Sequence, residues 1–227
     1  MARLLRATDR EQLLSSVLGL LLDIDNTLYR HPAYHASGTR GEIAEIGKIL
    51  EQSHDQVEAL ISGRKKEIAI RQGRPATMTE SVLSLGVTRQ QWNELRCRAW
   101  QPERWLEQDP QVCEILARLS NRYCIAFGTN SPLAVGRRVL TTIGVSGALP
   151  DAPVFGPESF AVSKLDPVFF KEIAGELGLT PCECISIGDR EEADGTPAIT
   201  AGYADALILS GSRDELVMVL PELFVCR

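Results

Sequence analysis

Apolar residues along the chain follow two kinds of pattern. A short continuous apolar run, Val17 to Leu22, closes with Asp23, and short mainly apolar segments follow at Tyr123 to Phe127, Cys184 to Ile187 and Ala206 to Leu209. Runs of that length predict strands buried on both faces, which places them in a parallel sheet covered by helices. Between them, apolar positions recur at helical spacing near Val112 to Leu119, Pro132 to Ile143, Asp166 to Leu177 and Thr196 to Ala201, and a further helical spacing runs from about Arg3 to Leu14. Strand and helix in alternation predict an α/β fold with a doubly wound parallel sheet. From 31 to 107 the character changes: β-branched runs vanish, helical spacing persists, and Thr77 with Glu80 and Thr88 with Gln91 form capping-box pairs. This stretch reads as an all-α insertion, so 1–30 and 108–227 form the core and 31–107 a separate helical unit.

At 227 residues the chain is long enough for one domain with an insertion. Its formal net charge of −6 argues against nucleic acid as a partner, because binding a phosphate backbone needs clustered positive surface. The cysteines Cys97, Cys113, Cys124, Cys182, Cys184 and Cys226 lack the spacing of a zinc or redox pair and read as reduced thiols. Charged residues interrupt the leucines near the N-terminus, and the longest apolar run is far too short to span a bilayer. The expectation is a soluble cytoplasmic protein with no membrane partner, as a monomer or homodimer.

A doubly wound core binds ligands at the carboxyl ends of its strands, near the point where strand order reverses. The first strand ends in Asp23-Ile24-Asp25-Asn26-Thr27, the second in Gly128-Thr129-Asn130, and a later one in Gly188-Asp189 with Asp194 shortly beyond. Side chains alternate along a strand, so Asp23 and Asp25 point the same way if the strand carries through them. A turn in which Asp and Asn bond their own backbone is the other reading of that segment. Lys164 precedes the helix opening at Asp166-Pro167 and is placed to reach the same edge. Four carboxylates with one lysine leave that rim strongly negative, and a divalent cation corrects the imbalance.

In order and context these residues resemble the four motifs of the haloacid dehalogenase (HAD) superfamily: Asp-x-Asp-x-Thr at Asp23 to Thr27, a Thr at Thr129, a Lys at Lys164, and Gly-Asp-x-x-x-x-Asp at Gly188 to Asp194. The resemblance covers roughly 16 to 30 and 108 to 210, and by position the helical insertion resembles the superfamily's type C1 cap. It implies a Rossmann-like core and an Mg²⁺-dependent phosphomonoester hydrolase acting on a small phosphorylated metabolite. Asp23 matches the nucleophile that forms an aspartyl-phosphate, and Asp25 the general acid/base. Thr129, the amide of Asn130 and Lys164 match the phosphate-binding groups. Asp23, the backbone carbonyl of Asp25 and Asp189 match the Mg²⁺ ligands, with Asp194 acting directly or through water. Members that cleave carbon–halogen bonds lack the second aspartate, so Asp25 favours phosphoryl transfer. The superfamily often has Lys-Pro where this chain has Lys164-Leu165.

Other features carry less. His31 and His35 have metal-compatible spacing, but Pro32 between them favours a helix start. The cations Arg64, Lys65, Lys66, Arg71 and Arg74 read as a solvated helix face, with one of them available to a second anionic group of a substrate. Trp92, Trp100 and Trp105 read as packing within the cap and toward the core. Three alternatives stay open: a phosphomutase sharing every core residue, a phosphonate hydrolase using Lys48, Lys65 or Lys66 as a Schiff base, and a catalytically silent binding module.

Overall fold

The computed structural model describes residues 2–6, 15–210 and 213–225. The chain forms two compact units: Met1–His31 with Leu106–Arg227, and Pro32–Trp105. The sequence pattern places its breaks at 30/31 and 107/108.

The first unit holds a six-stranded sheet of β1 (Arg3–Leu4), β2 (Gly19–Asp23), β3 (Cys124–Gly128), β4 (Val154–Phe155), β5 (Cys184–Gly188) and β6 (Asp205–Ile208). Its order is β1-β6-β5-β2-β3-β4, parallel except for the antiparallel edge pair β1 and β6. Every residue of β2 and β5 is buried, as expected for central strands covered on both faces. From β2 the chain builds outward through β3 and β4 on one side and through β5 and β6 on the other, so the order reverses at β2. The carboxyl end of β2, where Asp23 stands, is therefore the crevice of this fold.

Helices Pro110–Ser120, Leu133–Thr142, Pro167–Glu176 and Thr196–Ala201 flank the sheet elements in sequence. Leu21, Ala126, Phe169, Phe170, Ile173, Ala198 and Tyr203 form one apolar cluster joining strands and helices. The helix from Pro167 begins where its chemistry dictates: Asp166 accepts the amide of Val168 at 2.9 Å, and Pro167 brings a fixed φ and no N–H to the first turn. That start holds Lys164 two residues upstream.

One local expectation is corrected. Arg3 and Leu4 are an edge strand rather than helix, because the amides of Leu5 and Arg6 both donate to Asp205 Oδ1 at 3.0 Å and dock the segment on β6; the remainder of that predicted helix, 7–14, lies outside the described residues. The two-residue strand β4 and the helix Arg213–Leu220 were not foreseen.

The second unit is all helical: Pro32–Leu50, His54–Gln72, Met78–Leu83 and Arg89–Ala99, with a 3₁₀ turn at Pro102–Arg104. Capping boxes open three of these helices, at Ser53 with Gln56, Thr77 with Glu80 and Thr88 with Gln91. Ile43, Ile46, Val57, Ile61, Val82, Trp92 and Leu95 form its core. Trp100 seats against the first helix at Gly38, where a Cβ would collide with the indole. Five cysteines are free, Cys184 buried and Cys124 and Cys182 exposed, and Cys226 lies outside the described residues. Among the described residues no helix is long and apolar enough to cross a membrane.

Candidate active site

After Asp23 the chain leaves β2 in a tight turn. The amide of Leu28 donates to the carbonyl of Ile24 at 3.1 Å, and Asn26 takes the left-handed conformation at φ 62°, which Asn tolerates better than most residues. This turn gives each aspartate a hydroxyl from four residues on: Thr27 Oγ1 donates to Asp23 Oδ2 at 3.0 Å, and the Tyr29 hydroxyl donates to Asp25 Oδ1 at 2.6 Å. The strand ends at Asp23, so it does not carry through Asp25, which sits on the turn that follows.

Lys164 is 1% exposed, and its ammonium is fully used. Its three N–H groups meet three acceptors: Asp23 Oδ1 at 2.5 Å, the carbonyl of Gly128 at 3.2 Å, and Asp194 in an ion pair. Burial works against the charged lysine, yet Asp194 and Asp23 hold its pKa above the ordinary value. The Lys164 amide donates to Asn130 Oδ1 at 3.0 Å, tying the loop after β3 to the loop that carries the lysine.

Asp194 is fully buried within a π-helical turn, Glu191–Gly195, and its Oδ2 accepts the amide of Arg190 at 3.1 Å. It does not cap the next helix, whose N-cap position is Gly195. Gly188, at the end of β5, makes this geometry possible, because a Cβ there would run into the Asp194 carboxylate. Carboxylate oxygens of Asp23, Asp189 and Asp194 lie within 4.8 Å of one another. Asp189 is half-buried with Arg190 Nε 3.9 Å away.

Three carboxylates thus share one buried ammonium. Burial, opposed by Lys164 and reinforced by Asp194 and Asp25, pushes the Asp23 carboxyl up to about 8. Burial, together with Asp194, pushes Asp189 up to about 6. Asp194 Oδ1 is paired with the Lys164 ammonium, the same group that Asp23 Oδ1 uses. Three carboxylates with oxygens this close and one ammonium among them fit a hard divalent cation with oxygen ligands.

Asp25 stands apart from that cluster. Its Oδ2 accepts the hydroxyls of Ser131 at 2.9 Å and Thr129 at 3.2 Å, while Thr129 Oγ1 accepts the amide of Ser131 at 2.9 Å. The structure therefore brings Asp23, Asp25, Thr129, Asn130, Lys164, Asp189 and Asp194 to one strand edge, with the Thr129 hydroxyl engaged by Asp25. Tyr29 and Ser131 were missed in the sequence; the matching four-residue offset of Thr27 and Tyr29 from the two aspartates was the available signal. His35 packs against Tyr34 and Trp100 inside the helical unit, with ring centroids 5.7 and 5.5 Å away.

A family model for haloacid dehalogenase-like hydrolases matches residues 17–202. The chain belongs to this family. Among solved structures, the HAD family member is similar to a HAD phosphatase from Thermococcus onnurineus at 20% identity and a TM-score of 0.57, covering 84% of this chain and 85% of that one. A haloacid dehalogenase-like hydrolase from Xanthomonas campestris matches at 17% identity and TM-score 0.55, covering 92% and 93%. The HAD-hydrolase YfnB from Bacillus subtilis, solved bound to magnesium, matches at 14% identity and TM-score 0.51, covering 82% and 84%. No curated protein matches this HAD sequence. The fold is thus that of an HAD hydrolase.

Proposed function

We propose that this HAD hydrolase is a Mg²⁺-dependent phosphomonoester hydrolase acting through an aspartyl-phosphate on Asp23. The observation that carries the reading is the second aspartate, Asp25, held by three hydroxyls beside the Asp23–Lys164 pair. An alkoxide leaving group needs a proton donor at this position, whereas halide departs without one. The magnesium found in YfnB supports the same choice of cation.

When bound, Mg²⁺ would be held by Asp23 and Asp189, with the Asp25 carbonyl and Asp194 completing or orienting the set, and it would neutralise charge on the transferring phosphoryl group. Lys164 keeps Asp23 oriented and offsets negative charge in the transition state. The Asn130 amide and the Thr129 hydroxyl, turned from Asp25, bind phosphoryl oxygens. In the first half-reaction an Asp23 oxygen bonds to phosphorus, the ester P–O bond breaks, and Asp25 gives its proton to the departing oxygen. In the second, a water oxygen attacks phosphorus, Asp25 takes the water proton, and the Asp23–phosphate bond breaks to release inorganic phosphate. The all-α unit is, in this reading, the cap that selects the leaving group and excludes bulk water.

The test is a panel of phosphorylated metabolites with Mg²⁺, read by phosphate release. Inorganic phosphate from several esters, abolished by chelation, is expected. Mg²⁺-dependent transfer of phosphate to a sugar without phosphate release would instead make the protein a mutase, and turnover surviving in Asp23→Asn would defeat the nucleophile assignment.

A further inference from the structure

Three hydroxyl groups, from positions 29, 129 and 131, converge on the Asp25 carboxylate. Tyr29 and Ser131 are buried, at 6% and 8% exposure, while Asp25 itself is partly open. A partly open carboxylate could satisfy its oxygens with water, so folding alone does not demand this arrangement. The two residues act on opposite oxygens: Tyr29 holds Oδ1 and Ser131 holds Oδ2. Contacts on both oxygens lock the side-chain torsions of a residue that would otherwise swing freely at the end of a loop.

The choice of group is equally telling. A lysine or arginine here would hold the carboxylate but could only donate, which suits the ionised form alone. A hydroxyl donates to a carboxylate and, by rotating its O–H, accepts from a carboxylic acid. A group that must give a proton and later take one back can remain in place through both states only if its neighbours reverse in this manner. Thr129 could turn away to a phosphoryl oxygen, leaving Tyr29 and Ser131 to hold Asp25 while substrate is bound.

We infer that Tyr29 and Ser131 are positioning residues for proton transfer, fixing both oxygens of Asp25 so that it meets the leaving-group oxygen and then the attacking water without reorienting. The inference rests on the hydrolase reading above and assigns two residues to it that touch neither phosphorus nor metal.

The test compares an alkyl phosphate, which needs protonation of its leaving group, with p-nitrophenyl phosphate, which does not. Tyr29→Phe and Ser131→Ala should each lower kcat/KM, which reports the step that expels the leaving group, on the order of tenfold for the alkyl ester and by less than about twofold for the aryl ester. In an Asp25→Asn background both substitutions should lose their effect, because nothing remains to position. Tyr29→Phe keeps the ring and Ser131→Ala is small, and unchanged Mg²⁺ affinity in both variants establishes that the site is intact. Equal losses in kcat/KM on both esters, or losses persisting in Asp25→Asn, would make the two residues merely structural and overturn the inference. Asp25→Asn alone separates the two levels: if it shows the leaving-group bias and Tyr29→Phe and Ser131→Ala do not, the positioning fails and the hydrolase reading stands, whereas its own lack of bias defeats both.

Discussion

Each unit of the molecule buries an ionic cluster, and the two are built on opposite principles. In the helical unit Glu42, 5% exposed, accepts from Arg96 Nε at 3.0 Å and from Trp100 Nε1 at 2.7 Å, so one carboxylate meets one guanidinium and one indole. In the α/β unit Asp23, Asp189 and Asp194 crowd around the single ammonium of Lys164, which pairs with Asp23 and Asp194. The first cluster is balanced and closed. The second packs three carboxylates around one ammonium, an excess of oxygen ligands that a divalent cation would satisfy. A balanced buried pair is thus read as structure, and the crowded carboxylates as the place where the proposed cation would bind.

Substitutions sharpen that contrast. The largest effect falls on activity: Asp23→Asn should cut turnover on the order of 10⁴-fold or more, measured as phosphate release under saturating Mg²⁺. Glu42→Ala should instead cost about 3 kcal/mol of stability in denaturant unfolding, because Arg96 and the Trp100 N–H lose a buried acceptor. Asp189→Asn should move stability the other way. Removing one of three crowded carboxylates should raise the melting temperature of the metal-free protein by about 2–4 °C, the shift for roughly 1 kcal/mol in a chain of this size. A fall of that size would mean that the acidic cluster is structural after all.

The next effect is a dependence on pH. In the folded metal-free chain Asp23 keeps its proton up to about 8 against an ordinary value of 3.8, so between these limits the folded state binds more protons than the unfolded one. Stability from this group is complete below 3.8 and is lost as pH rises through 8. Asp189, raised to about 6, adds the same sign over a narrower window. Melting curves with and without Mg²⁺ should therefore diverge as pH rises from 5 to 8.5, and an equal gap at every pH would contradict the assignment.

The smallest effect belongs to the helical unit. Glu80, held down at about 2 chiefly by Arg74 with help from Thr77, contributes stability that is full above its ordinary value of 4.5 and lost as pH falls through 2. Arg74→Ala should reduce that acid sensitivity by well under 1 kcal/mol, since the pair is exposed to solvent.

Particular residues explain what could and could not be read in advance. The segments ending at Leu22 and Ile187 are mainly apolar because central parallel strands are buried on both faces, and Asp166-Pro167 carries its own start signal, so the core fold was legible. The strand Val154–Phe155 has only two residues and no period to detect, and the pairing of Arg3–Leu4 depends on a carboxylate 200 positions away from Leu5. Asp25 was visible as chemistry, but Ser131 meets it across 106 positions, and nothing in the spacing indicates which of the hydroxyls after β3 turns toward it. Local pattern reports burial and caps; which distant groups complete a carboxylate's shell depends on the packed sheet.

The most direct measurement is calorimetric titration of Mg²⁺ into the wild-type protein and Asp189→Asn at pH 7.5. One ion per chain with proton release on binding is the predicted wild-type result, with affinity reduced on the order of tenfold or more in the variant. Equal affinity in both proteins, or no binding to the wild type, would contradict the claim that Asp23, Asp189 and Asp194 converge to hold a divalent cation.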